Sequence, residues 1–165
     1  MKFKNRLISM FMTLFVVVGL IVSFGIVSAT DDFTYDKLND LIVSNQNGII
    51  DLPANRTIFF KGPIKINKDL KINGNNLLIK NSEGESSPNF IITGGGSLVL
   101  SDITFDKGHY PVQVQKSRSL VCQNCVFNSC KGSIQILGGN VRLFNSSVGW
   151  GSIDPQIMIE DESKL

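Results

Sequence analysis

The sequence predicts an all-β fold, a right-handed parallel β-helix (a solenoid) of about five short coils with a helix capping its N-terminal end. Three observations predict it: a repeat of 21–23 residues, three short apolar runs in each unit, and a turn-forming residue that recurs between the first two runs. The clearest units are 97–115, 119–137 and 140–159. Because a unit of this size cannot bury its apolar face alone, successive units are expected to stack around one core.

Each unit contains three strand-like runs separated by polar turns. In the first clear unit these runs are 98–100, 103–105 and 112–114, and large or β-branched residues occupy their outer positions. This alternation predicts strands with one buried face. The same pattern begins upstream at residue 49, so the coils are expected to cover 48–160.

A turn-forming residue lies at the same aligned position between the first and second runs. It is Gly74, Asp102, Asn124 and Asn145 in successive units. These residue types adopt the left-handed backbone conformation more readily than others. The sequence therefore predicts a sharp corner with positive φ at one place in every coil.

The segment 34–47 predicts a helix that caps the first coil. Thr34 suits the N-cap position, and Gly48 follows as a stop signal. A solenoid needs such a cover, because an exposed terminal coil offers unpaired strand edges. Four residues with helical spacing form the expected apolar face: Tyr35, Leu38, Leu41 and Ile42.

No matching cap follows the last predicted strand, 157–159. Three interpretations stay open for that end. The charged tail and a partner protect it, copies of the chain associate end to end there, or the chain is a piece of a longer solenoid.

Residues 1–29 are expected to be a cleaved signal peptide or a retained signal anchor. Basic residues precede an apolar run over 7–27, and Val27, Ser28 and Ala29 suit signal cleavage. The run is also long enough to span a bilayer. Both interpretations place the domain 30–165 outside the cytoplasm, as a secreted or cell-surface protein.

The charge of the chain gives no support to a nucleic-acid partner. The leader holds three of the 16 Lys and Arg residues and none of the 14 Asp and Glu residues, so the remainder is nearly neutral. A membrane is expected as a partner only if the leader is retained as an anchor.

Three cysteines form a C-x2-C-x4-C pattern: Cys122, Cys125 and Cys130. The first two align with large apolar residues of other units, which favours packing in the core. A Cys122–Cys125 or Cys125–Cys130 disulfide is the alternative that an extracellular protein would permit. A metal site would need a fourth ligand, and the only histidine is His109. No metal or other cofactor is expected.

A lyase or hydrolase on this fold would need acidic side chains that converge on one outer face. The outward middle positions of the strands do not supply such a cluster. Asp106 and Asp154 lie in loops and are read either as a pair that approaches across coils or as solvated acids. His109 is read either as a loop residue or as a base.

The loops after each second strand are expected to collect on one edge, which is often the binding edge of a solenoid. Aromatic rings there could stack on sugar rings or anchor a protein partner. Trp150 is also open to another interpretation, in which it folds back over the C-terminal end. The candidate ligand-binding residues on this edge are Asp106, His109, Tyr110, Lys131, Trp150 and Asp154.

The segments 38–79 and 90–105 resemble the opening of right-handed parallel β-helix proteins of the pectate-lyase-like superfamily. More narrowly, they are similar to adhesin-like surface proteins of methanogenic archaea and some bacteria. The shared features are a secretion signal, a capping helix, a G-x-I-x-L first strand at 48–52 and a D-L-x-I-x-G coil start at 69–74. The resemblance covers about 33–160.

The resemblance implies a surface protein that contacts carbohydrate or another cell surface without catalysis. The superfamily includes pectin-cleaving enzymes, but their acidic and basic cluster on the strands is missing here, so no catalytic residue is carried over. A polysaccharide lyase or hydrolase, or a fragment of one, is the alternative. A truncated structural piece of a larger surface protein is the second alternative.

Overall fold

The computed structural model describes residues 32–82, 86–149 and 157–160. The part of the chain from Phe33 onward forms a parallel β-solenoid of about five turns with one helix near its N-terminal end. The predicted fold class is therefore confirmed. In the part of the chain that the structure describes, no helix combines the length and the apolar character that a membrane crossing requires.

The described residues form one helix and thirteen strands. The helix is α1 (Tyr35–Ser44). The strands are β1 (Ile49–Asp51), β2 (Thr57–Phe59), β3 (Ile64–Ile66), β4 (Leu70–Lys80), β5 (Phe90–Ile92), β6 (Ser97–Asp106), β7 (Val112–Val114), β8 (Ser119–Gln123), β9 (Val126–Asn128), β10 (Ile134–Leu137), β11 (Asn140–Phe144), β12 (Ser147–Val148) and β13 (Ile157–Glu160).

The strands pair in parallel and form two sheets. The first sheet follows the order β1, β4, β6, β8 and β11, with β2 beside β4, β9 beside β6 and β12 beside β9. The second sheet follows the order β3, β5, β7, β10 and β13. Each strand therefore lies beside the equivalent strand of the previous coil. In the second sheet, for example, Val112 lies opposite Ile134 and Gln113 lies opposite Gln135.

The core consists of columns in which an apolar side chain of one coil lies on its equivalent in the next. Its aromatic part is formed by Phe90, Phe105 and Phe127, each at most 1% exposed. The rings of Phe105 and Phe127 stack with centroids 4.9 Å apart, and Phe90 meets Phe105 edge-on at 6.2 Å. Both arrangements are favourable aromatic geometries. The repeat of apolar residues in the sequence is thus a repeat of contacts.

Helix α1 covers the first coil with a narrower apolar face than the sequence predicts. Leu38 and Ile42 are buried in the core, but Leu41 is 41% exposed. The ring of Tyr35 is partly buried and meets Phe60 edge-on at 5.3 Å. The helix therefore contacts the coil through three of the four predicted residues.

The ends of α1 are set by side-chain caps. Thr34 is the N-cap, as predicted, and its hydroxyl accepts a hydrogen bond from the backbone N–H of Lys37 at 3.4 Å. The helix ends at Ser44 and not at residue 47, because Asn45 adopts an extended conformation. The side-chain oxygen of Asn45 then accepts the backbone N–H of Gly48 at 2.8 Å, which fixes the turn into the first strand.

The first corner of each coil, between its first and second strands, contains left-handed residues. Asp102, Asn124 and Asn145 have φ angles of 56°, 53° and 46°. Asn55 has a φ of 55° at the corner of the first coil. The short polar side chains of Asn and Asp tolerate this conformation, whereas a β-branched residue would be strained.

Gly74 does not follow the prediction for this corner. In its coil the left-handed residues are Asn75 and Asn76, with φ angles of 51° and 65°. This coil carries two additional residues at the corner, where the pairing of β4 with β6 shifts. Gly74 is required for a different reason, because a Cβ atom there would lie only 2.4 Å from the side chain of Ile103.

The two ends of the chain carry predictions that lie outside the described residues. They concern the signal peptide or anchor at 1–29 and the protection or end-to-end association of the C-terminal coil after β13.

Replacing Phe127 with Ala should lower the free energy of unfolding by about 3–5 kcal/mol, because it removes a ring stacked in the core and leaves a cavity. Phe127→Leu keeps most of the volume and should lose less. Urea denaturation of both variants measures the difference. A loss below about 1 kcal/mol for Phe127→Ala would contradict the stacked core.

Replacing Asn124 with Val should destabilise the fold by about 1–3 kcal/mol, because a β-branched residue is strained at a positive φ. Asn124→Gly is the matched control, since glycine adopts this conformation freely. Thermal and urea unfolding should rank the wild type and the Gly variant above the Val variant. Equal stability of the Val and Gly variants would show that the corner is not left-handed.

Candidate functional site

Four of the residues predicted to bind a ligand lie along the edge formed by the connections between second and third strands. Asp106 ends β6, His109 and Tyr110 lie in the connection to β7, and Lys131 lies in the connection to β10. Trp150 and Asp154 lie outside the described residues, and so does any approach of Asp154 to Asp106.

Tyr110 lies in the interior of this edge and not on its surface. The residue is 5% exposed, and its backbone is left-handed with a φ of 51°. Its ring occupies the space beside Gly132, where a Cβ atom would lie 2.2 Å from the ring. The ring of His109 lies 4.6 Å from that of Tyr110 at a tilt of 34°. Tyr110 therefore has no exposed ring face for a ligand.

Asp106 and Lys131 connect successive coils. A carboxylate oxygen of Asp106 accepts a hydrogen bond from the side-chain amide of Asn128 at 2.9 Å. The backbone N–H of Lys131 donates to the carbonyl oxygen of Gly108 at 2.9 Å, while its side chain is exposed. Both residues therefore form hydrogen bonds with a neighbouring coil.

Two buried asparagines, which the repeat pattern did not predict, close the base of the 80–89 connection. Asn81 and Asn89 are 8% and 0% exposed. The amide of Asn89 donates to the side-chain oxygen of Asn81 at 2.6 Å, and the amide of Asn81 donates to the carbonyl oxygen of Lys107 at 3.1 Å. Buried amides need such partners, so these two residues have a structural role. Their only sequence signal is their position at the two ends of the insertion.

The three cysteines are free and buried in the core. Cys122 lies between Leu100 and Leu143 of the neighbouring coils. A hydrogen bond to Cys125, together with burial, raises the pKa of the Cys122 thiol. Burial and, to a lesser extent, the Asp106 carboxylate raise the pKa of Cys130 to about 12.

The thiols of Cys122 and Cys130 are therefore protonated at neutral pH and act as small core side chains. Within the described ranges, no three His, Cys, Asp or Glu side chains lie close enough together to hold a metal ion.

The first corner carries hydrogen-bonding side chains stacked along the solenoid axis. The amide of Asn124 donates to Asp102 at 3.0 Å, and the amide of Asn145 donates to the side-chain oxygen of Asn124 at 2.7 Å. Nearer the N-terminal end, the amide of Asn76 donates to the side-chain oxygen of Asn55 at 3.2 Å. For Asp102, Asn124 and Asn145 only a backbone role was predicted from the sequence.

The last position of the first strands continues this array. The amide of Asn73 donates to Asp51, and the hydroxyl of Ser101 donates to the side-chain oxygen of Gln123 at 3.3 Å. Phe144 occupies the same strand position one coil after Gln123 and is 52% exposed. We call the whole set the amide corner: Asp51, Asn55, Asn73, Asn76, Ser101, Asp102, Gln123, Asn124, Phe144 and Asn145.

The amide corner retains hydrogen-bonding capacity toward solvent. A side-chain amide offers two donors and two acceptor sites. In this ladder Asn124 uses one donor and one acceptor site, and Asn145 uses one donor. Asn124 and Asn145 are exposed, as are Asn55 and Asn76. Successive coils present these groups at a spacing of about 4.8 Å. The surface is therefore a linear array of donors and acceptors beside an exposed ring, interrupted at the coil with two additional corner residues.

Comparison of the chain with protein-family models, with curated proteins and with solved structures gave no match.

Proposed function

We propose that this protein is a secreted or cell-surface β-solenoid that binds carbohydrate without cleaving it, in the manner of an adhesin. The observation that carries the proposal is the amide corner. Its repeated amide and carboxylate groups match a ligand that offers hydroxyl groups at regular intervals.

A glycan chain fits this surface better than a protein partner does. Sugar hydroxyls both donate and accept hydrogen bonds, and amide and carboxylate side chains complement both roles. The spacing of about 4.8 Å between coils is close to the length of one sugar residue in an extended chain. The exposed ring of Phe144 adjoins Gln123 and Asn145 and could stack on an apolar sugar face.

The environment of the carboxylates supports binding over cleavage. Asp51, Asp102 and Asp106 each accept a hydrogen bond from an asparagine 22 residues later in the chain. A hydrolase with this architecture would use two carboxylates facing one sugar bond. In the amide corner the neighbour of each carboxylate along the axis is an amide, which suits recognition of a hydroxyl group.

The extracellular placement is supported by the leader pattern at 1–29, with its basic start, apolar run and small residues. The resemblance to adhesin-like surface proteins points to the same location. Fractionation of cells that express the full chain, with N-terminal sequencing of the product, distinguishes a cleaved signal peptide from a retained anchor.

A glycan array probed with the full chain, run beside a polysaccharide cleavage assay, tests the proposal. We expect binding to extended glycans without turnover. The double variant Gln123→Ala/Asn124→Gly should bind about tenfold more weakly or worse, because it removes two hydrogen-bonding groups and keeps the left-handed corner. Gln113→Ala is the matched control, since Gln113 is an amide on the other sheet.

Two results would contradict this proposal. Turnover of a polysaccharide by the wild-type chain would replace binding with catalysis. Equal binding by the wild type, the amide-corner variant and the control would remove the amide corner from the interface. Circular dichroism of each variant confirms that a loss of binding is not a loss of fold.

A further inference from the structure

A second surface of the solenoid differs in charge from the amide corner. The third corner connects the third strand of each coil to the first strand of the next. In successive coils it consists of 67–69, 93–96, 115–118 and 138–139. The 115–118 turn carries Lys116 and Arg118, whereas the turns before and after it are rich in glycine.

The turns on both sides of Lys116 and Arg118 are rich in glycine, so few side chains lie beside the two basic residues. Gly96 has no room for a side chain, because a Cβ atom would lie 2.7 Å from the backbone of Lys68. On the other side, a Cβ atom at Gly139 would lie 2.5 Å from the side chain of Val114. The backbones of neighbouring coils therefore approach closely, and Lys116 and Arg118 form a ridge between two glycine-rich turns.

The basic turn is held by backbone hydrogen bonds. The N–H of Arg118 donates to the carbonyl oxygen of Gln115 at 3.1 Å, which closes the turn. The N–H of Ser117 donates to Gly138 at 3.1 Å, and the carbonyl oxygen of Arg118 accepts from Asn140 at 2.8 Å. The backbone of a turn fixed in this way needs little ordering on binding.

A depression of about 370 Å³ lies against this ridge, lined by Gly94, Gln115, Lys116, Arg118 and Leu137. Its volume lies in the range of small-molecule sites, and one sugar residue fits within it.

The positive charge of the ridge is not neutralised within the described residues. No described carboxylate lies within ion-pair distance of Lys116 or Arg118. The acid on the same corner, Asp69, accepts hydrogen bonds from the backbone N–H and the hydroxyl of Ser97 at 3.0 and 2.6 Å. Asp69 is thus held by hydrogen bonds from the next coil.

We propose that the third corner is an anion-binding subsite, in which Lys116 and Arg118 hold a carboxylate or sulfate ester group of an acidic glycan. The inference rests on the proposed glycan-binding function and deepens it. The planar guanidinium of Arg118 suits bidentate contact with such a group, and Lys116 adds a point charge. Gln115 offers an amide to the sugar hydroxyls beside it.

The two corners would then select different parts of a ligand. The amide corner contains the carboxylates of Asp51 and Asp102, which repel an anionic sugar. The third corner attracts it. Acidic sugars therefore bind at Lys116 and Arg118, and neutral sugars bind at the amide corner.

Binding of the full chain to three oligosaccharides of equal length tests the subsite. They are an oligouronate, a neutral oligosaccharide to which sulfate esters have been added, and the same neutral oligosaccharide without them. We expect the two acidic ligands to bind more tightly than the neutral one and to weaken as salt is raised. The double variant Lys116→Gln/Arg118→Gln should bind both acidic ligands about tenfold more weakly or worse and leave neutral binding unchanged.

The charge-matched control is Lys65→Gln/Arg142→Gln, which removes one exposed lysine and one exposed arginine from other parts of the surface. It should retain acidic-glycan binding. An equal loss of acidic-glycan binding in the control variant would overturn the subsite, because it would show that the overall charge of the protein attracts the ligand. Equal affinity of the wild type for the acidic and neutral ligands would also overturn it, while the proposed glycan binding would stand. If none of the three oligosaccharides binds, the proposed function is contradicted, and the subsite with it.

Discussion

Each coil of this solenoid pairs in parallel with the next, so that a residue lies beside the residue about 22 positions later in the chain. The period of the sequence is therefore also the period of the contacts. Phenylalanine meets phenylalanine in the core, and asparagine meets asparagine or aspartate at the first corner. A substitution at one position changes contacts with two neighbouring coils, and the stability of the coils is coupled along the axis.

The features that depend on this stacking could be predicted from the sequence, and those that depend on local departures from it could not. The core positions of Cys122 and Phe127 followed from alignment alone. The role of Gly74 did not follow from the alignment, because two additional residues in its coil move the left-handed conformation to other positions. Tyr110 is buried because Gly132, 22 residues later, leaves room for its ring. The period places these two residues side by side but does not give the direction of the ring. The stacked side chains of Asp102, Asn124 and Asn145 were predictable in principle, since the alignment that gave their backbone role also places them side by side.

The two functional proposals share one physical basis, which is that a solenoid repeats the chemistry of each corner along a line. The first corner repeats amides and carboxylates, and it offers paired donors and acceptors. The third corner alternates glycine turns with the turn that carries Lys116 and Arg118, and it offers concentrated positive charge beside open space. An extended glycan is the ligand class that matches both the linear arrangement and the hydrogen-bonding groups.

Methyl NOEs of the full chain in solution test the register most directly. Ile92, Val114 and Ile136 lie opposite one another on three successive coils and point into the core. The parallel register predicts strong NOEs from the Val114 methyl groups to those of both isoleucines. A shift of one residue would turn Val114 outward, so NOEs from its methyl groups to Ile91 or Gln135 in place of Ile92 and Ile136 would contradict the account.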